Sequence, residues 1–238
     1  MLTMLTPERI YEEELLDAGA GTDDDVRESL LDIRRVNRLL GGVRVVVKAV
    51  EASLKQLPSA EVSLLDVGTG SADIPSTVAR WCRSQGIKAS IVAVDLSERN
   101  LRVARHGIGI SPDVELVRAD AFDLPFGPRS FDFVTASLFL HHFTDDDAVR
   151  LLARFASVAR RAVIVNDLVR NLVPYYFIRM TGSLLIKSFL SRNDGPVSVL
   201  RGFTAGELHR LSERAGLSRF IVRRLFPYRL SLVADVRR

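Results

Sequence analysis

The sequence predicts an α/β fold: an open, mostly parallel sheet with helices on both faces. Three observations predict it. Short apolar runs of strand length alternate along the chain with stretches whose apolar residues repeat at helical spacing. The first such run, Val62 to Val67, is apolar almost throughout, as expected of a strand covered on both faces. It leads into Gly68-Thr69-Gly70 and then a helix, the arrangement in which parallel sheets bind nucleotide-like ligands.

The glycine loop organises the rest. Gly68 and Gly70 carry no Cβ, so the backbone can turn sharply and approach a ligand closely. Asp73 is placed to cap the next helix, with Pro75 in its first turn. A dinucleotide site reads G-x-G-x-x-G, and here Asp73 stands in the third glycine position, where a carboxylate would face a pyrophosphate. S-adenosylmethionine has no phosphate and carries a sulfonium and an ammonium. Asp66 before the turn and Asp73 after it suit that cation. The stretch DVGTGSADIP, Asp66 to Pro75, resembles motif I of the class I methyltransferases, most of all the ubiquinone/menaquinone-biosynthesis type. The resemblance implies a seven-stranded sheet that holds S-adenosylmethionine through Asp66, Gly68, Thr69, Gly70 and Asp73. Ala72 departs from it, standing where that family usually has a third glycine. The alternative is an ordinary βα turn with no ligand.

At 238 residues, 47% of them hydrophobic, the chain suits one α/β domain with additions. The single cysteine, Cys82, excludes a disulfide framework and a multi-cysteine metal site. It follows Trp81 in a predicted helix, reads as a packing residue, and points to a reducing cytoplasm. No metal is expected. The first residues, MLTMLTPERIYEEE, have no basic or apolar leader character, and no apolar run approaches the length of about 18 residues that spans a membrane. Charge is uneven: residues 1–149 carry 16 basic and 24 acidic side chains, and residues 150–238 carry 17 and 5. A basic half is one mark of nucleic-acid binders. Here the arginines are scattered and aromatic interleaving is sparse, so the expected partner is a small molecule, for a monomer or homodimer.

Residues 1–22 are acidic and turn-like and predict an extended arm or short helix, partly mobile. Helices follow over 23–40 and about 43–57, broken by Gly41-Gly42. Residues 1–60 thus form a helical arm that either closes over a pocket or covers the sheet, ahead of the domain at 61–238. After the loop come a helix over 74–85, strand two over 90–94, a helix over 97–106, strand three over 114–118, strand four over 131–136, a helix over 145–159 and strand five over 162–165. Residues 168–202 form an insertion. Its two apolar runs, around Tyr175 and Leu185, are interrupted by Arg179 and Lys187 and make either a cap or an interfacial helix that meets lipid. A turn is expected over 191–196. Thr204 and Glu207 are spaced as a capping box for a helix ending at Gly216. The runs 219–226 and 230–236 read as a closing hairpin.

Asp95 ends strand two, 25 residues beyond Gly70. It is placed to accept hydrogen bonds from ribose hydroxyls, or else to cap the helix after it, with Leu96 then beside the adenine. The resemblance places Asp120 at the adenine amine, Ala121 N–H at a ring nitrogen and Leu138 along the cofactor. LHHF, Leu140 to Phe143, resembles quinone-type and related small-molecule methyltransferases and lacks the N/D-P-P-Y/F element of enzymes that methylate nucleobase amines. The run across the insertion, from Asn166-Asp167 through Arg192 and Asp194-Gly195-Pro196 to Phe203-Thr204, looks like a bacterial branch of O-methyltransferases of phenolic polyketide and phenolic-lipid pathways. That implies O-methylation of a small hydrophobic phenolic or quinone-like acceptor. C-methylation of a quinone precursor, RNA methylation and a non-catalytic partner protein are the alternatives. A phenol has a pKa of about 10, so a nearby base helps at neutral pH, and histidine suits the task. His141 and His142 are the candidates, one of them catalytic and His142 preferred, with Asp167 as orienter or alternative base. Tyr175, Tyr176 and Arg192 are candidate cap contacts.

Overall fold

The computed structural model describes residues 6–56, 58–107 and 110–237. In chain order the elements are α1 (Asp23–Leu39), α2 (Gly42–Gln56), β1 (Glu61–Val67), α3 (Asp73–Ser84), β2 (Lys88–Asp95), α4 (Glu98–His106), β3 (Val114–Arg118), β4 (Phe131–Ser137), α5 (Asp145–Val158), β5 (Ala159–Leu168), α6 (Leu172–Leu185), α7 (Phe189–Arg201), α8 (Ala205–Arg214), β6 (Phe220–Leu225) and β7 (Arg229–Asp235).

Period-two alternation puts successive side chains of β1 on opposite faces. Leu64 packs with Val46 and Val50 of α2 and Val78 of α3. Leu65 and Val67 pack with Leu151, Leu152 and Phe155 of α5. Fully burying one such side chain contributes about 1.5–3 kcal/mol, so the two faces of β1 anchor both helical layers. The strands form a seven-stranded sheet in the order β3-β2-β1-β4-β5-β7-β6. Only β7 runs against its neighbours, β5 and β6. The chain leaves β1 toward β2 on one side and returns as β4 on the other, which opens a crevice at the carboxyl ends of β1, β2 and β4.

The two N-terminal helices divide the roles proposed for them. Helix α2 is part of the layer on the sheet, through Val46, Val50 and Leu54. Helix α1 covers the crevice: Val26 and Leu30 cluster with Leu190 of α7 and border the cavity. Among residues 6–22 no helix forms; the arm runs extended to a turn over 15–19. Arginines anchor it. Arg9 donates to the carbonyls of Arg201 and Phe143 at 2.7 Å and pairs with Asp145 at 2.8 Å. Arg201 donates to the Glu12 carbonyl at 2.6 Å, and Arg170 to that of Pro7 at 2.9 Å.

The turn expected over 191–196 is instead the middle of α7, with Pro196 inside it. Tertiary contacts override the local preference. Asp194 is buried and accepts from the Leu15 and Leu16 N–H groups at 2.8 and 3.0 Å, and Ser191 bonds Ser29 of α1 at 2.8 Å. Thr204 and Glu207 do form the capping box of α8. Cys82 is buried in the sheet layer, and burial pushes its thiol up to about 11, as a packing residue should be. Among the described residues no helix is long and apolar enough to cross a membrane.

Candidate active site

The loop after β1 turns through left-handed backbone at Gly68 and Gly70, φ 69° and 54°. A Cβ on Gly68 would collide with the Phe139 ring, so this position admits only glycine. Ala72 also sits in the left-handed region, φ 54°, where glycine is unstrained; this is the physical reason a third glycine suits the motif. Ala72, not Asp73, is the N-cap residue of α3, and no side chain caps it. Asp73 is the first residue of the helix and faces the cavity instead.

The crevice encloses a cavity of about 670 Å³ bordered by the β1 loop, the ends of β2 and β4, α1 and the N-terminal arm. That volume suits a cofactor with a small acceptor. A larger groove of about 1310 Å³ runs between α2 and the β6–β7 hairpin, but it contains none of the motif residues, so size does not decide which is the site. The cavity brings together Asp66, Gly68, Thr69, Gly70, Asp73, Asp95, Leu96, Asp120, Ala121, Leu138, His141 and His142. Asp95 accepts from Gly70 N–H at 2.8 Å through one oxygen, and from Ser97 N–H at 2.9 Å and Asn100 Nδ2 at 3.2 Å through the other. These bonds hold a two-oxygen acceptor at the cavity wall, as hydroxyl recognition requires. Asp120 closes a turn by accepting from Phe122 N–H at 2.9 Å.

The polar lining fits a cationic cofactor. Asp66 is buried, with Thr135 Oγ1 donating at 2.6 Å, and among the described residues no cation pairs with it. Burial pushes its carboxyl up to about 7. Burial likewise raises Asp73 and Asp95. Asp73 Oδ2 and Ser137 Oγ are buried with no hydrogen-bond partner among the described residues. Unsatisfied buried acceptors beside a cavity call for a donor-rich ligand, and the ammonium of S-adenosylmethionine is one.

A 3₁₀ turn, Leu140–His142, carries the two histidines, and their surroundings differ. Both ring nitrogens of His141 meet carboxylates: Nδ1 lies 2.6 Å from Asp167 Oδ1, and Nε2 lies 3.4 Å from Glu14 Oε1. All three side chains are buried. Burial alone would lower His141, but Asp167 and then Glu14 override it and raise it to about 10. Burial pushes Glu14 up, but its contacts with the imidazoles outweigh this and hold it at about 2. Burial raises Asp167 as well, and His141 reverses the shift and leaves it lowered. A charged ring with both nitrogens engaged has no lone pair to offer, so His141 does not fit the role of base. Asp167, buried and also accepting from the His141 and Leu168 N–H groups at 3.1 and 2.8 Å, does not fit it either. His142 is different. Its Nδ1 lies 2.6 Å from Asp17 Oδ2, and the ring is partly exposed at the cavity wall. Glu14, His141 and His142 bring three ligand-type atoms within 4.8 Å of one another, and each of these side chains is already engaged in the pairing just described.

Glu14, Asp17 and Ser198, whose Oγ donates to Glu14 Oε1 at 2.8 Å, are site residues that sequence reasoning missed. Glu14 ends a run of three acids, and nothing in the pattern marks which of them is buried. Three expected contacts are not brought to the cavity. Tyr175 and Tyr176 stand on α6 outside its lining, and Arg192 donates to the Ile186 and Lys187 carbonyls at the end of α6.

A parallel sheet with a glycine loop, an acid at the end of the second strand and a cation-seeking cavity defines a nucleoside-cofactor protein. Comparison with known proteins narrows this. The sequence pattern of the family described as "Methyltransferase domain" matches residues 64–162. The ubiquinone/menaquinone biosynthesis C-methyltransferase UbiE of Idiomarina loihiensis is 32% identical over 109 residues, 44% of this chain and 42% of that protein. The ubiquinone biosynthesis O-methyltransferase of Thiobacillus denitrificans is 32% identical over 165 residues, 67% of this chain and 66% of that protein. The chain spans about half the length of the UbiE relatives it matches, 42% in one and 55% in another. Human N-acetylserotonin methyltransferase, solved with S-adenosylmethionine, has the same fold, with a TM-score of 0.65 at 14% identity over 96% of this chain and 62% of that one. The chain belongs to the class I S-adenosylmethionine-dependent methyltransferases, and S-adenosylmethionine is its cofactor.

Two predictions follow from these charges. A carboxylate that pairs with the cofactor ammonium must be ionised, and Asp66 is the buried candidate. Affinity for S-adenosylhomocysteine should therefore rise with pH up to about 7 and level off above it, approaching about tenfold per unit on the acid side. Calorimetry of the wild type and Asp66→Asn measures this, and a flat wild-type dissociation constant from pH 6 to 8 contradicts it. In the clamp that Glu14 and Asp167 form on His141, folding raises His141 from 6.5 to about 10, so its stabilisation is complete below pH 6.5 and is lost as pH climbs to about 10. Folding lowers Glu14 from 4.5 to about 2, so its share is present above pH 4.5 and is lost toward 2. The urea unfolding free energy of wild type minus that of His141→Asn should shrink from pH 6.5 to 10. A difference that stays constant over that range would falsify the clamp.

Proposed function

We propose that the chain transfers the methyl group of S-adenosylmethionine to the hydroxyl oxygen of a small, hydrophobic phenolic or quinone-like acceptor, with His142 as general base. The pairing of His142 Nδ1 with Asp17 Oδ2 at 2.6 Å carries this reading. A carboxylate at that distance assigns the ring proton to Nδ1 and leaves the Nε2 lone pair to accept one. The bound cofactor supplies an activated methyl group, so the residues here need only bind, orient and deprotonate the acceptor. An acceptor hydroxyl against Nε2 gives up its proton to the imidazole, and Asp17 stabilises the imidazolium that forms. Phe143 stands edge-on to Phe139 and Phe122, with centroids 4.8 and 5.5 Å apart, and these rings border the cavity beside the histidine. Such a wall suits a flat aromatic ring.

The names of the relatives support a quinone-type acceptor. One is a C-methyltransferase and the other an O-methyltransferase, so methylation at ring carbon is the second reading; it would use the same base on the same hydroxyl. The basic half of the chain lends less to an RNA acceptor than its charge suggests. Arg170, Arg201 and Arg229 are buried in the fold, and Arg170 and Arg201 bond backbone carbonyls.

His142→Gln should lower kcat on a phenolic acceptor by about 10²–10⁴-fold while affinity for S-adenosylhomocysteine stays nearly constant. Mass spectrometry and NMR of the product separate O- from C-methylation. Full turnover by the His142→Gln protein removes His142 from the mechanism, and transfer to RNA but to no phenol overturns the acceptor class.

A further inference from the structure

Helix α6 inverts the usual arrangement of an amphipathic helix. Val173, Tyr176, Phe177, Met180 and Leu184 recur at helical spacing, and all are exposed, from 44% at Val173 to 85% at Leu184. At 3.6 residues per turn they share an arc of about 100°. Gly182 is the one buried residue of the helix. Ile178 rests on α7, where a Cβ added to Gly195 would come within 3.1 Å of it. Leu185, the last residue of α6, and Phe189, the first of α7, extend the apolar surface, 63% and 49% exposed. A contiguous apolar face open to solvent marks a surface that meets a partner.

The charges around it select the partner. From Leu168 to Asn193 the chain has no Asp or Glu, and it carries Arg170, Arg179, Lys187 and Arg192. Arg170 is buried and paired with Glu207 at 2.6 Å, so the surface charge comes from Arg179, Lys187 and Arg192, all exposed. A second copy of this chain docked on the stripe would bring these cations against their own equivalents, which is unfavourable. An anionic bilayer meets both needs: the stripe enters the boundary between headgroups and acyl chains, and the cations lie among phosphates. Tyr176 and Phe177 are side chains suited to that boundary.

We propose that α6 is an in-plane anchor that seats the protein on an anionic lipid surface. It packs on α7, whose Ser198 borders the cavity, so the anchor and the acceptor site share one helix. Delivery of a lipid-dissolved acceptor from that surface rests on the proposed function; the anchoring does not.

The test is co-sedimentation of the full chain with vesicles of phosphatidylcholine alone or mixed with phosphatidylglycerol. Binding is expected to the mixed vesicles, to weaken as salt is raised, and to fall at least tenfold in a Phe177→Glu/Leu184→Glu double variant. Arg179→Gln and Lys187→Gln should each weaken it about fivefold. Unchanged S-adenosylhomocysteine binding shows that the variants are folded and keeps this result separate from the fate of the proposed reaction. The anchor is overturned if the protein sediments with neither vesicle. It is also overturned if the wild type is a dimer that Phe177→Glu converts to monomer, since the stripe then belongs to a second copy.

Discussion

The cavity depends on one buried charge, the imidazolium of His141. Three chain segments far apart in sequence meet on it: the 3₁₀ turn that carries it, the end of β5 through Asp167, and the arm through Glu14. Removing one partner of such a group leaves an uncompensated charge in low dielectric, which costs about 3–5 kcal/mol. Arg201 reinforces the junction by bonding the carbonyls of Glu12, His141 and His142 at 2.6, 3.2 and 2.6 Å. With the arm held this way, Asp17 falls beside His142. The His141 cluster and the arginines that anchor the arm together place the acid beside the other ring. His141 is held between two carboxylates, whereas His142 meets one acid of the arm at the cavity wall.

The same economy marks the cofactor end. Asp66 and Asp95, at the carboxyl ends of β1 and β2, are joined by Asp73 at the start of α3, and burial raises all three. Such a cluster is costly by itself. Strain is stored beside it, in the left-handed conformation of Ala72. Strain and buried like charges concentrate at sites where a ligand offsets them. A cofactor with a cationic end supplies that offset.

What was legible in the sequence was whatever obeyed local periodicity or a loop rule. The inner strands β1, β4 and β5 fell within a few residues of their places, because runs covered on both faces of the sheet are largely apolar. The motif acids Asp66, Asp73, Asp95 and Asp120 all border the cavity, since the end of a parallel strand is always at the same edge. The arm was not legible as part of the site. Glu14 and Asp17 lie in a segment with no period, and their roles arise only from contacts more than a hundred residues away. Helix α7 was misread for the reverse reason. The local signals at Asn193, Gly195 and Pro196 are turn signals, and the Asp194 bonds to the arm override them. Helix α6 was half legible: its apolar character was plain, but the side it would turn to solvent was not.

The most direct measurement is ¹⁵N NMR of the histidine rings in the folded protein. At pH 8 His141 should carry protons on both nitrogens, and the neutral form of His142 should hold its proton on Nδ1, facing Asp17. A His141 ring that gives up a proton near pH 6.5, or a neutral His142 protonated on Nε2, would contradict the division of labour between the two histidines.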